Sequence, residues 1–243
     1  MINILARYRQ FFSFARLKPQ LISKLMALVI ATSASAYATA TSTENTNSTW
    51  ELARDKAGVK VWTRSVEGSN IKAFKGETEL DVELNQAMAL MDNTENYTEW
   101  MHQCKSPTLI RKVSPIERYT YMINDLPWPA KNRDVLAHVK ISQNEQDRVV
   151  TVVMRDVKEV SEALIKRLPN RKGLQALDKM EGHYRFIPIS DTQTKVIYEM
   201  HIELGGSLPA TAVNAAIVDT PYYTLKNMRS EVTKPQYQHF KPF

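Results

Sequence analysis

One cysteine, Cys104, stands in the 243 residues, so no intramolecular disulfide forms and the fold is held by its apolar core alone. The sequence has no Gly-x-Ser-x-Gly elbow, no phosphate-binding glycine loop and no His-Glu-x-x-His pair. Nucleophilic hydrolysis, nucleotide use and zinc proteolysis therefore have no motif behind them. The five histidines, His102, His138, His183, His201 and His239, are scattered. His102-x-Cys104 and a cross-strand His183/His201 pair each supply two ligands, short of the three or four that a zinc site needs, so no metal is expected. Acidic residues are missing from residues 1–38, which carry Arg7, Arg9, Arg16, Lys18 and Lys24. These five charges account for most of the formal net charge of +6, which removes the reason to read the remaining chain as a nucleic-acid binder.

The apolar run from Leu25 to Ala31 is too short to span a bilayer, which takes about 20 apolar residues. Preceded by the basic region and followed by Ala-x-Ala patterns ending at Ala36, Ala38 or Ala40, it reads as a cleavable export signal. The expected organisation is a signal peptide over 1–38, a Ser/Thr/Asn-rich linker over 39–49, one domain over 50–235 and a tail over 236–243. The expected compartment is the periplasm of a Gram-negative-like cell. At 43% hydrophobic and 24% charged residues the composition is that of an ordinary globular domain.

Along the domain, residues 50–57 read as a short helix anchored by Trp50 and ended at Gly58. Residues 59–64 and 71–82 alternate as strands around turn chemistry at Glu67-Gly68-Ser69-Asn70. Leu84, Ala87, Met88, Leu90 and Met91 recur at helical spacing, and Tyr97, Trp100 and Met101 resume it after a break near 93–96. Strands are predicted over 108–113, 118–124, 134–142, 148–157, 181–189 and 195–204, joined mostly by short polar connections that make neighbours antiparallel. The exception is the connection over 158–179, too long for a hairpin and partly helical in pattern.

Side-chain parity in the last two strands places Gly182, Tyr184, Phe186, Val196, Tyr198, Met200 and Ile202 on one wide apolar face. Its cover is a final helix with the stripe Val213, Ile217, Pro221, Leu225, Met228 and Val232, kinked at Pro221. Gly205-Gly206-Ser207-Leu208-Pro209 precedes it, with Ser207 as the expected cap.

At the centre of the chain, Leu126-Pro127-Trp128-Pro129 leads to Arg133-Asp134 between two strands. The two prolines fix φ and restrict the residues before them, so the loop holds one shape and presents an indole at a strand end. Read by itself, this is a stiffened loop whose Trp128 plugs the core, with Arg133 and Asp134 as an ion pair that pins it.

The order of elements, the Trp128-Pro129 and Arg133-Asp134 pattern, and Gly205 to Pro209 followed by Asn214, Pro221 and Leu225 to Arg229 together resemble the START domain, the steroidogenic-acute-regulatory-related lipid transfer family. The resemblance covers residues 50–235. It implies an α+β helix-grip fold, in which a curved antiparallel sheet of about nine strands wraps a long C-terminal helix around an internal apolar cavity. It also implies a cavity lined by Tyr184, Phe186, Tyr198, Met200, Ile202, Val213 and Ile217, with Trp128, Arg133, Asp134 and Leu208 as its gate.

The expected activity is binding of a lipid, sterol or other apolar small molecule, with transfer or sequestration in the cell envelope. No covalent chemistry and no cofactor are required, and a monomer in transient contact with a membrane suffices. The alternatives are a helix-grip cyclase acting on a polyketide-like or aromatic substrate, and an envelope protein whose cavity is filled by its own side chains. The leader makes a separate prediction: N-terminal sequencing of the exported protein finds cleavage between Ala34 and Ala40, and a first residue before Ser33 contradicts it.

Overall fold

A two-residue turn sets the first hairpin. Ala57 and Gly58 both take positive φ, 52° and 75°, which is the geometry that joins two antiparallel strands tightly. Residues 51–56 are therefore strand β1 (Glu51–Lys56), paired with β2 (Val59–Val66), and not the helix expected over 50–57. Trp50 lies in front of β1, half-buried, with the Arg64 guanidinium 4.5 Å from its ring centroid. The computed structural model describes residues 49–239; the predicted leader, and the linker up to residue 48, fall outside that range.

β3 (Ser69–Leu80) completes the meander, followed by helix α1 (Leu84–Asp92), a 3-10 turn at Thr94–Asn96 and helix α2 (Tyr97–Trp100). The helical stripe predicted there is buried, including Leu84, Met88, Met91, Tyr97 and Trp100. The chain returns to strands in β4 (Cys104–Ser114), β5 (Glu117–Asn124), β6 (Arg133–Gln143) and β7 (Val150–Asp156). The long connection contains helix α3 (Glu162–Ile165) and β8 (Gln175–Ala176), then β9 (Lys179–Ser190) and β10 (Gln193–Glu203) form the last hairpin.

The strands make one curved sheet in the order β1-β2-β3-β10-β9-β7-β6-β5-β4, with β8 joined in parallel to β6. In β9 and β10, Tyr198 stands opposite Tyr184, Val196 opposite Phe186 and Met200 opposite Gly182, the register that parity requires. Their shared face joins Val61, Phe74, Met122, Val139, Val152 and Met154 in the main core. On β5 and β6 the alternate residues Tyr121 and Leu136 point the other way, into a small cluster with Ile110 and Leu164. The 158–179 connection thus covers part of the sheet's outer face.

The C-terminal cover is two helices, α4 (Ala210–Ala216) and α5 (Asp219–Glu231), in place of the single kinked helix expected. Pro221 has no N–H to offer the Ile217 carbonyl and sits in the first turn of α5, where a proline is tolerated; the helix is interrupted before it. Pro209, not Ser207, occupies the position before α4, and no side chain caps that end. Packing continues past the expected boundary at 235: Tyr237 is buried and donates its hydroxyl to Glu231 at 3.1 Å. The fold has the α+β helix-grip architecture anticipated from the resemblance.

Helix α5 lies close against β3 because Gly76 has no side chain: a Cβ there would stand 2.7 Å from Leu225 Cδ1 and 3.0 Å from Pro221 Cβ. Gly76→Val accordingly forces α5 off the sheet and costs about 1–3 kcal/mol, measured by urea unfolding, whereas valine at the open Gly68 turn acts through its positive φ alone.

Candidate functional site

Between the sheet's inner face and α4 lies a cavity of about 510 Å³. Phe74 of β3, Met122 of β5, Met154 of β7, Met180 and Tyr184 of β9, and Tyr198 and Met200 of β10 form its walls, because alternate residues of each strand face inward. Ala212, Val213, Ala216 and Ile217 close it from the helical side. The small alanines leave the space unfilled. Among the described residues no Asp, Glu, Lys or Arg lines it; the polar groups are His102, Gln103, Asn124, Thr220 and the two tyrosines.

Six of the seven residues expected to line a cavity do so: Tyr184, Tyr198, Met200, Ile202, Val213 and Ile217. Phe186 does not. It is fully buried one inward position nearer the hairpin tip, where the core is solid, with its ring 6.2 Å from that of Tyr184. Trp128 and Leu208 both border the cavity, but Trp128 is 92% exposed. It is no core plug. Pro127 and the cis-linked Pro129 flank it, and the loop is tied back where the Leu126 N–H donates to Asn132 Oδ1 at 3.1 Å.

Arg133 and Asp134 do not pair with each other, since neighbouring residues of a strand point to opposite faces. The Arg133 side chain, almost wholly buried, donates to the carbonyls of Leu204 (2.6 Å), Gly205 (3.0 Å) and Lys131. It thereby clamps the Trp128 loop to the segment that leads into α4. Asp134, on the other face, accepts from the Tyr121 hydroxyl at 2.6 Å and from Arg171, tying down the 158–179 connection. Burial works against the charge of Asp134, yet the hydrogen bonds from Arg171 and then Tyr121 hold its carboxyl below the usual carboxylate range. Neither residue lines the cavity.

Two side chains give the interior its chemistry. Tyr184 and Tyr198 stack with ring centroids 4.0 Å apart and planes 4° from parallel. Burial, first of all, pushes both phenols up, Tyr198 to about 12 and Tyr184 well above its ordinary value, so both remain protonated. The Tyr184 hydroxyl is buried, with the Tyr198 hydroxyl as its hydrogen-bonding neighbour. His102, which sequence reasoning left as a stray histidine, borders the cavity beside Tyr223, and burial lowers its pKa. Met122 and Met154 were also missed, although parity along β5 and β7 points them inward. Cys104 is buried, its thiol pushed up to about 12 by desolvation, and it is inert.

Comparison with known proteins places this geometry. The START domain family model matches residues 32–235, and the chain belongs to that family. An uncharacterized protein of Pseudomonas aeruginosa is 32% identical over 185 residues, covering 76% of this chain and 87% of the relative. A crystallised fragment of a STAR-related lipid transfer protein from Xanthomonas axonopodis is 32% identical, with a TM-score of 0.67 over 76% of this chain and 99% of that one. Human StAR-related lipid transfer protein 5, at 17% identity, shares the fold with a TM-score of 0.64 over 75% of this chain and 86% of its own.

The Asp134 anchor has a pH signature. A carboxyl whose folded pKa is depressed contributes stability that is complete above its unfolded value, about 3.9, and is lost as pH falls through the folded one. Asp134→Asn weakens both bonds and lowers stability by about 1–3 kcal/mol at neutral pH. Chemical denaturation across pH checks the sign: the gap between mutant and wild type narrows below about pH 4.

Proposed function

We propose that this protein binds a lipid, sterol or other apolar small molecule in the cavity and transfers or sequesters it in the cell envelope. The observation that carries this reading is an uncharged cavity of about 510 Å³ with an exposed indole at its rim. Removing apolar ligand surface from water supplies about 2.5 kcal/mol per 100 Å², enough for capture without any covalent step. The Xanthomonas relative, described as a lipid transfer protein, supports the same reading.

Opening falls to α4. None of its residues is buried, whereas α5 buries six. Its attachment to β3 runs through Asn214, which accepts from the Lys72 N–H at 2.9 Å and donates to the Asn70 carbonyl at 2.8 Å. The interrupted backbone at Ile217 and Val218 serves as the hinge between a weakly packed lid and a firmly packed helix. Trp128, across the rim from Leu208, enters the membrane interface, where indole rings partition readily. Export through the basic leader, action in the periplasm and a monomeric state complete the proposal.

Cyclase chemistry finds little support among the residues present. A general base must face the substrate, and the two phenols stay protonated while His102 is the sole cavity-lining imidazole among the described residues. The open volume likewise argues against a cavity filled by its own side chains.

Lipid mass spectrometry of the purified mature protein tests the reading, and the absence of any bound or extractable apolar molecule sinks it. Trp128→Ala separates gating from packing. Because the ring is exposed, stability stays within about 0.5 kcal/mol of wild type, while vesicle-to-vesicle transfer of a fluorescent lipid slows. A loss of about 3–5 kcal/mol with unchanged transfer per folded molecule is the opposite result.

A further inference from the structure

A second concave site lies on the surface beside the cavity and takes no part in enclosing the guest. It is a groove of about 350 Å³ between the turn that ends β1 and α5, lined by Arg54, Lys56, Ala57, Tyr222, Tyr223 and Lys226. Three of these side chains are cations and none is an acid. Arg54 is held in place, its guanidinium 2.8 Å from Asp219 and 4.7 Å from the centroid of the Tyr222 ring. Asp219 therefore offsets Arg54 and leaves the two lysines. Lys56 and Lys226 are exposed and have no ion-pair partner among the described residues. Arg229 donates to the Ala57 carbonyl at 2.7 Å, which fixes the turn against α5 and adds a fourth cation beside the groove. Cations gathered around one groove repel each other, so an anion from outside the fold is what the arrangement fits.

The groove adjoins the cavity mouth. The Tyr223 ring lies 5.0 Å from the ring of His102, which borders the cavity. The carbonyl of Gln103, the next residue, accepts from the Asp125 N–H at 2.8 Å, three residues before Trp128. The exposed indole and the cationic groove thus stand at the two ends of one short chain of contacts along the rim. Lys131, exposed in the Trp128 loop and also without an ion-pair partner among the described residues, adds a charge at the indole's end.

We infer that the groove holds the phosphate of an anionic phospholipid at the membrane surface, so that its two lysines and Trp128 dock the cavity mouth onto negatively charged bilayers. The need to meet a membrane rests on the lipid-transfer reading, whereas the chemistry of the groove is separate from that of the cavity. Ammonium groups bind phosphate as point charges and impose no single orientation, which suits headgroups that turn freely, and tyrosine rings suit the membrane interface. Little net charge remains on the chain once the five cations of 1–38 are set aside from the total of +6. Attraction to an anionic surface is therefore local and turns the molecule mouth first, acting within a Debye length of about 10 Å.

The test mixes the mature protein with vesicles of phosphatidylcholine alone, or of phosphatidylcholine with a minority of phosphatidylglycerol, and measures bound protein by flotation. Wild type is expected to prefer the anionic vesicles at about 0.1 M salt and to lose that preference near 1 M. Lys56→Gln/Lys226→Gln, which alters only exposed side chains, is expected to weaken binding to anionic vesicles about thirtyfold. Lys140→Gln/Arg148→Gln removes the same charge from exposed positions toward the far end of β6 and in the turn beyond it, and is expected to change binding less than twofold. Equal losses in the two double variants would reduce the effect to overall charge and overturn the groove's role. Equal affinity of wild type for both vesicle types overturns it as well, and tighter binding to a single-stranded oligonucleotide than to anionic vesicles overturns the membrane as partner. Lipid extracted from Lys56→Gln/Lys226→Gln is expected to match wild type, since neither lysine lines the cavity. Wild type without extractable lipid sinks the cavity reading, and the flotation result still decides the groove.

Discussion

A guanidinium that reaches backbone carbonyls, not a carboxylate, holds the mouth of the cavity. Arg133 spans three oxygens from two distant segments, Lys131 on its own loop and Leu204 and Gly205 where β10 ends. Those carbonyls lie outside the sheet ladder and take their donors from the guanidinium. One planar side chain with five N–H groups supplies them at fixed spacing, which a lysine could not do. The position of the Trp128 loop, the turn through Gly205 and Gly206, and the start of α4 all follow from that clamp. Asp134, the next residue, repeats the service on the outer face of the sheet for the 158–179 connection. A dipeptide on one strand thus fastens one loop on each side.

The contrast between the two C-terminal helices shows how one fold combines a stable frame with a movable part. Leu225, Met228 and Val232 are fully buried against the sheet, and Gly76 lets the helix settle there. The α4 segment lacks such anchors because the sheet beneath it falls away into the cavity. A helix over empty space has little apolar burial to hold it. The same absence of filling that makes room for a guest therefore loosens the lid.

Much of this was legible in the sequence where residues obey one period. The β9–β10 hairpin was readable because every second residue is apolar and the tip is short, which fixed its register. Helix α1 was readable from Leu84, Ala87, Met88 and Met91. Strand β1 was not, since an edge strand exposed on both faces shows no alternation, and all but one of its residues are exposed. The partners of Asp134 were hidden for a different reason: Arg171 lies 37 residues away in a connection with no regular pattern. Trp128 was ambiguous because a proline-framed indole has the same local chemistry whether it points into a core or out of it. Its loop was legible, but its direction depends on the clamp from Arg133. Phe186 obeyed parity and still missed the cavity, because parity assigns a face and cannot say where along that face packing gives way to space.

Five of the ten methionines, Met101, Met122, Met154, Met180 and Met200, line the cavity. Thioether side chains have three unbranched rotatable bonds and a polarisable sulfur, so the wall they form can rearrange around contents of different outline at small cost. Contour then becomes a weak filter, and affinity declines gradually with ligand size where a wall of β-branched residues would impose a sharp cutoff. The same sulfurs also make the lining sensitive to oxidants: conversion to sulfoxides would plant polar oxygens along an otherwise apolar wall, changing what the chamber holds without altering the sheet that builds it.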